Sequence, residues 1–188
     1  MTITPNRLGI VPCHCAPYHN GHHLLITTAA LENDNVIVLL STSDRKRKNE
    51  IPIYWRQMLH IWQQVINKYI PKNVEIRLCN NISPIKLTWE LLESYTQNMN
   101  DCPTITIYGD PIDNEARFNN TLLVKYVESL YNNNRVKIKS FDRSLTNNIS
   151  GQMMRFYIAN NNKQLFVKNL PFNEQENDLI WKILTTFH

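Results

Sequence analysis

The 188-residue sequence has no long hydrophobic run, only four glycines and only four cysteines. Even the strongly apolar segment 36–40 is far too short to cross a membrane. The first seven residues also lack the apolar core of a signal peptide. We therefore expect a cytoplasmic protein that does not enter a membrane.

The cysteines suggest a metal clip but do not complete the pattern of a zinc site. Cys13 and Cys15 flank His14, but no second pair of ligands follows at the spacing of a zinc site, so we predict no resident metal. Small residues that end a buried strand explain this pair. The sequence also lacks a signature for an activated serine or cysteine nucleophile.

Composition and charge suit a single domain that binds anionic small molecules as readily as nucleic acid. Hydrophobic residues make up 43% of the chain, enough for one core, and the formal charge is +4. We expect a single domain over residues 1–188, with 150–188 as a C-terminal helical portion. The basic cluster 45–48 is by default a solvated loop. We expect no nucleic acid partner, and a homo-oligomer is left open.

Apolar segments that alternate with helical patterns predict the fold. Strands are predicted at residues 8–13, 36–40, 74–78, 104–108 and 136–141. Helices are predicted at 20–32, from Pro52 to Pro71, from Thr88, around 123–130 and from Ser150, and a last helix carries Ile180, Ile183, Leu184 and Phe187. This order predicts a doubly wound parallel sheet of about five strands with helices on both faces. In such a sheet a ligand binds beyond the carboxyl ends of the strands.

Residues 17–22, Pro-Tyr-His-Asn-Gly-His, join the first predicted strand to the first helix. The free N–H groups and the positive dipole end of that helix form an anion site. Asn20 is a good N-cap, and Gly21 lets the backbone approach a ligand closely. His19 and His22 add two side-chain donors. The segment therefore predicts a phosphate site that lacks the lysine of a P-loop.

This segment resembles the HxGH motif of the nucleotidyltransferase superfamily, the cytidylyltransferase-like proteins. Residues 149–155, Ile-Ser-Gly-Gln-Met-Met-Arg, resemble the ISGTxxR motif of the same superfamily. The resemblance implies one Rossmann-like domain over nearly the whole chain. The sequence departs from the family pattern because Cys13, Ala16 and Gln152 replace the usual glycine, glutamine and threonine, and His14 replaces an arginine.

The segment 41–56 is similar to that of nicotinamide-mononucleotide adenylyltransferases, where a basic loop leads to a proline and an arginine-containing helix. Pro52 and Arg56 match those two residues. The resemblance implies transfer of AMP from ATP to nicotinamide mononucleotide, with Mg²⁺ accompanying ATP. The alternatives are a cytidylyltransferase, an adenylyltransferase with another phosphate acceptor, or a nucleotide-binding regulatory protein with weakened catalysis. A nucleic-acid binder that uses the 45–48 loop ranks last.

The resemblance also implies roles for individual residues. Catalysis would fall to His19, His22 and Arg155, and histidine suits this role because it donates directionally and can carry charge near neutral pH. ATP would be bound by His14, Gly21, Lys46, Ser150, Gly151 and Gln152. The acceptor would be bound by Arg47, Trp55, Arg56, Trp89 and Asp110. The structural alternatives are helix caps for the two histidines and Ser150, a surface position for Arg155, a core position for Trp89 and a turn at Asp110.

Overall fold

A computed structural model describes residues 6–96, 102–109 and 136–186. The strands are β1 (Arg7–Cys13), β2 (Asn35–Leu40), β3 (Val74–Leu78), β4 (Thr104–Gly109) and β5 (Val136–Ser140). The helices are α1 (Asn20–Glu32), α2 (Trp55–Gln64), α3 (Pro84–Thr96), α4 (Gly151–Ala159), α5 (Lys163–Lys168) and α6 (Glu174–Thr185). Short 3₁₀ turns lie at Ile66–Lys68 and Arg143–Thr146.

The five strands form one parallel sheet in the order β3-β2-β1-β4-β5. Ile10 of β1 lies opposite Ile37 of β2 on one side and Ile107 of β4 on the other. The strand order reverses between β1 and β4, which is the topological switch point of a doubly wound sheet. The predicted α/β Rossmann-like fold is therefore confirmed.

The sheet is covered on both faces, as its apolar strands require. On one face α3 contributes Leu91 and Leu92 to a core with the alternate residues Leu8, Ile10, Ile37, Leu39, Ile105 and Ile107. On the other face lies the end of α1, where the Tyr108 hydroxyl accepts from Asn33 Nδ2 at 2.8 Å and donates to Glu32 at 2.6 Å. Right-handed crossovers place α1 and α3 on opposite faces because their connections run in opposite directions across the sheet.

Two helix starts differ from the prediction. Helix α2 begins at Trp55 rather than at Pro52, because the backbone of Ile53 pairs with Arg45 through bonds of 2.8 and 3.0 Å. Helix α3 begins at Pro84, one turn before Thr88, because Ser83 Oγ caps it by accepting the Lys86 N–H at 3.1 Å. The predicted helix around 123–130 lies outside the described residues.

The chain divides into two compact units. The first contains the sheet and is built from residues 6–13, 25–40 and the described part of 71–142. The second gathers residues 14–24, 41–70 and 143–186, and so includes most of the predicted C-terminal helical portion. Within the second unit α2, α5 and α6 bury Trp62, Phe166 and Leu184. Among the described helices, none combines the length and apolar character needed to span a membrane.

Candidate functional site

The two motif segments lie together in the second unit and meet at Ala16. Arg155 Nη1 donates to the Ala16 carbonyl oxygen at 2.6 Å. A Cβ atom placed on Gly151 would lie 3.1 Å from that Nη1 atom and 3.3 Å from the Ala16 oxygen. A side chain at Gly151 would therefore require the arginine or the carbonyl to move by a few tenths of an ångström, so glycine fits the start of α4 best. The start of α4 thus packs against the turn that carries the first motif.

His19 caps helix α1, so the prediction that Asn20 is the N-cap is wrong. The helix begins at Asn20, and the Nδ1 atom of His19 accepts the Gly21 N–H at 3.1 Å. The imidazole reaches the second helical amide and takes the place of a shorter cap. Because Nδ1 is the acceptor, the proton of the neutral ring resides on Nε2. That N–H is the donor that His19 can offer to a ligand.

Gly21 leaves the space that the His19 ring occupies. A Cβ on Gly21 would lie 3.0 Å from both the Nδ1 and the Cε1 atoms of His19. The Gly21 amide, which the sequence led us to assign to ATP, is already bonded to the ring. Gly21 therefore acts on the site through His19.

Two neighbouring rings contact His22, one tilted against it and one stacked on it. Its ring centroid lies 3.9 Å from that of His19 and 5.7 Å from that of Tyr18. Tyr18 is buried and also stacks on Phe172 at 5.9 Å, with its edge against Trp62 at 5.4 Å. The motif histidines are thus held by an aromatic cluster, which sequence reasoning missed because it depends on tertiary packing.

The site histidines are neutral at physiological pH. Burial is the main cause that lowers the pKa of His14, holds the pKa of His19 well below 6.5 and lowers the pKa of His22 to about 3. Neighbouring positive groups add to the effect. The sequence suggested that these histidines can carry charge near pH 7, but desolvation leaves them as uncharged donors.

The positive charge of the site comes from arginines. Arg45, Arg47 and Arg155 lie close enough to His14 to lower its pKa, and Arg143 acts in the same way on both His19 and His22. Arg143 lies in the 3₁₀ turn before α4 and was not predicted. Guanidinium groups near neutral donors make a site for a multiply charged anion.

Arg155 is buried, with only 4% of its side chain exposed, and it forms an ion pair with Glu50. Its Nε atom donates to Glu50 Oε2 at 2.7 Å, and the Glu50 side chain is 15% exposed. Breaking a buried pair of this kind costs about 3–5 kcal/mol. The alternative of a surface arginine is therefore wrong. Glu50 was not predicted, although it is the first carboxylate after the basic cluster.

The basic loop is closed by the bridge between Arg45 and Ile53. Lys46 extends from this loop, pairs with Asp44 at 3.0 Å and lies 5.1 Å over the Tyr54 ring. Its ammonium is therefore engaged close to its own loop. Arg47, whose charge contributes to lowering the pKa of His14, is exposed.

A cavity of about 890 Å³ opens between α2 and α6 in the same unit. Its lining includes Trp55, Arg56, His60, Leu179, Lys182 and Ile183. The Arg56 guanidinium lies 5.6 Å from the Trp55 ring centre. This volume suits a small organic ligand, and the cavity joins a flat aromatic face to two cationic side chains. Trp55 and Arg56 were predicted for the acceptor, whereas His60 and Lys182 were not.

The remaining predicted residues are placed as follows. Ser150 caps α4 as expected, with its Oγ atom accepting the Met153 N–H at 3.2 Å, and Gln152 is exposed beside it. Trp89 lies on α3 in the first unit, partly buried against the core. This position agrees with the alternative that Trp89 is a core residue. Asp110 lies outside the described residues.

No protein-family model matches the sequence, and no curated protein matches it. Solved structures share its fold, among them the following two. A Vibrio parahaemolyticus protein provisionally named nicotinate-nucleotide adenylyltransferase has 13% identity and a TM-score of 0.59, over 93% of this chain and 98% of its own. Thermotoga maritima TmcAL, bound with alpha-thio ATP, has 12% identity and a TM-score of 0.52, over 94% of this chain and 55% of its own. These similarities establish the fold.

Proposed function

We propose that this protein is a nucleotidyltransferase that transfers AMP from ATP to nicotinamide mononucleotide and releases pyrophosphate. The observation that carries the proposal is the convergence of His19, His22 and Arg155 with the start of α4. Neutral imidazole donors, buried guanidinium charge and a helix N-terminus are the three elements that bind and stabilise a polyphosphate. The HxGH-like and ISGTxxR-like segments supply all three.

In the proposed reaction a phosphate oxygen of the acceptor attacks the α-phosphorus of ATP. A new P–O bond forms to the acceptor, the bond from the α-phosphorus to the α,β-bridging oxygen breaks, and pyrophosphate leaves in line. Negative charge builds on the bridging and equatorial oxygens. No group of the protein needs to attack, which suits a chain without a nucleophile signature. Mg²⁺ enters with ATP as part of the substrate.

His19 donates its Nε2 proton to a phosphate oxygen in this scheme, and the adjacent His22 ring provides the second donor. The amides of Gly151 and Gln152 belong to the first turn of α4, where helical amides lack partners within the helix. They extend the site toward the terminal phosphates. Arg47 and Arg143 supply charge near the histidines, as their effect on the histidine pKa values supports.

The acceptor is assigned to the α2–α6 cavity. Trp55 offers a flat π-face to the nicotinamide ring, while Arg56 and Lys182 offer cations to the phosphate of the mononucleotide. Asp44 lines this cavity. Its Oδ1 atom also accepts the backbone N–H of Trp55 at 3.1 Å, which fixes the start of α2. With this assignment Trp89 is a core residue and does not form part of the acceptor site.

A second candidate is a nucleotide-binding protein with little turnover. The specific observation in its favour is that these donors are already used within the protein. Arg155 donates hydrogen bonds to Glu50 and Ala16, and the Gly21 amide donates one to His19. Such a protein binds ATP without releasing pyrophosphate. It differs from the enzyme in turnover alone, so binding and turnover must be measured together.

The test is pyrophosphate release with Mg²⁺ and ATP, screened across nicotinamide mononucleotide, nicotinate mononucleotide, phosphopantetheine and glycerol phosphate, and repeated with CTP. We expect saturable release with ATP and nicotinamide mononucleotide, with NAD as the product. ATP binding without release from any acceptor supports the second candidate. Release only with CTP, or only with a non-pyridine acceptor, overturns the proposed substrates.

A further inference from the structure

We propose that Glu50 is a positioning residue, which aims the Arg155 guanidinium at the bound nucleotide and fixes the basic loop beside it. This inference rests on the proposed function, because it concerns how the same site binds ATP. It assigns a role to a carboxylate in a site whose other charges are positive.

The guanidinium of Arg155 is fixed at two of its three nitrogens. Nε donates to Glu50 at 2.7 Å and Nη1 donates to the Ala16 carbonyl at 2.6 Å. Within the described residues, Nη2 donates no hydrogen bond. Because the group is planar and rigid, fixing two nitrogens fixes the direction of the third. Glu50 thereby determines where the remaining donors of Arg155 point.

Glu50 is itself held by the basic loop. Its amide donates to the Arg47 carbonyl at 3.2 Å, and Asn49 between them has a left-handed backbone with φ of 64°. The Arg45–Ile53 bridge closes this loop. The pair of Glu50 and Arg155 therefore ties three segments together: the basic loop, the turn at Ala16 and helix α4.

Because Glu50 is negatively charged, two roles can be distinguished: it either orients Arg155 toward the nucleotide or acts as a latch, which only holds Arg155 away from the nucleotide. A carboxylate near the site repels a triphosphate, so a glutamate that only blocks Arg155 must weaken ATP binding. Its removal would then strengthen binding. A glutamate that orients Arg155 has the opposite effect, because removing it frees the guanidinium to adopt unproductive directions. The sign of the change in ATP affinity separates the two roles.

Glu176 provides a matched control in the same unit. Its side chain is 14% exposed, close to the 15% of Glu50, and it pairs with Lys68 at 3.3 Å and with the Tyr69 hydroxyl. Among the described residues, the hydrogen-bond and ion-pair partners of Glu176 are Lys68, Tyr69 and Asn173, and none of these belongs to either motif. Its replacement reports the cost of losing a similar carboxylate away from the site.

The experiment measures the Kd of Mg²⁺-bound α,β-methylene-ATP by calorimetry for the wild type, Glu50→Ala, Glu50→Gln and Glu176→Ala, with Tm for each. We expect Glu50→Ala to raise Kd about tenfold or more. Glu50→Gln, which keeps an acceptor for Arg155 Nε, should recover part of that loss. Glu176→Ala should lower Tm without changing Kd. If Glu50→Ala does not fold, Glu50→Gln must still raise Kd above that of the control.

Tighter binding by either Glu50 variant would show a latch and overturn the inference. A Kd equal to that of the wild type, or a change no larger than that of Glu176→Ala, would also overturn it. If the wild type itself does not bind the analogue, the proposed function fails, and with it this role for Glu50. The wild-type titration therefore separates the two failures.

Discussion

The Nδ1 atom of His19 accepts the Gly21 N–H at 3.1 Å, and a Cβ on Gly21 would lie 3.0 Å from the same atom. One residue pair thus sets both the tautomer of the imidazole and the space for it. The ring caps the helix with one nitrogen and keeps the other for a ligand. This relationship explains in physical terms why a glycine separates the two motif histidines.

Gly21→Ala should therefore displace the His19 ring and lower kcat/KM for ATP by about 10²-fold, the scale expected for misplacing a catalytic donor. The backbone is helical here, so alanine should leave the helix intact. Steady-state kinetics and circular dichroism check both statements. Asn20→Ala is the control at the neighbouring position, since it is the Gly21 N–H that donates to the ring. Full activity in Gly21→Ala would contradict the assigned geometry.

His19→Ala and His22→Ala should each lower kcat by about 10²-fold or more, because each loses a donor to the developing charge. His23→Ala is the matched control on the same helix. His23 interacts with the Tyr18 hydroxyl at 3.1 Å, outside the motif pair. Its loss should lower stability more than turnover. Equal losses of kcat in all three variants would point to a structural role for the motif histidines.

The rate should not depend on an imidazolium. Burial keeps the pKa of His19 well below 6.5 and that of His22 at about 3, so both rings are neutral above pH 7. The kcat/KM profile, which reports the free enzyme, should be flat between about pH 7 and 9. A fall in kcat/KM with an apparent pKa in that range would show that a charged histidine is required.

The same pKa shifts predict acid sensitivity of the fold. The folded-state pKa of His22 is below its unfolded value of 6.5, so the unfolded chain takes up the proton first as pH falls. Its stabilising contribution is complete above pH 6.5 and is lost as pH falls toward 3. The slope is up to about 1.4 kcal/mol per pH unit for each such group.

Urea unfolding at several pH values between 7.5 and 4 measures that slope. His22→Asn should make the free energy of unfolding less dependent on pH than in the wild type. The exposed His60 supplies the control variant, His60→Asn, for the effect of the substitution itself. Identical slopes for all three proteins would contradict a buried neutral His22.

Trp55 and Trp89 can be separated by their effects on the acceptor and on stability. Trp55→Ala removes an aromatic wall of the α2–α6 cavity and should raise the KM of the acceptor more than that of ATP. Trp89→Ala removes a side chain packed on the sheet core and should lower Tm instead. Kinetics and thermal unfolding of both variants test this. The reverse pattern would move the acceptor site to Trp89.

The sheet was predictable because its strands carry their own signal. The five-residue apolar run of β2 is buried throughout, as a central parallel strand requires. The start of α2 was not predictable, because Pro52 can open a helix and the bridge from Arg45 to Ile53 is a tertiary contact. The short α5 was missed for a different reason: six residues give too little periodicity to detect.

The site was predictable only in part. The motif residues could be found from sequence patterns, and the structure brings His19, His22, Gly151 and Arg155 into one unit. The partners that orient these residues could not be found from sequence patterns, since Glu50 pairs with Arg155 across 105 residues. The neutral state of the histidines depends on burial, which no local pattern specifies.

The central claim is that the His19–His22 pair holds a triphosphate, and the imidazole resonances of the six histidines test it most directly. On titration with Mg²⁺ and ATP, we predict saturable shifts of the His19 and His22 signals and a rise in both pKa values, because the bound anion favours protonation. The His60 signal should stay in place. ATP binding that leaves His19 and His22 undisturbed, or a complete absence of binding, would contradict the account.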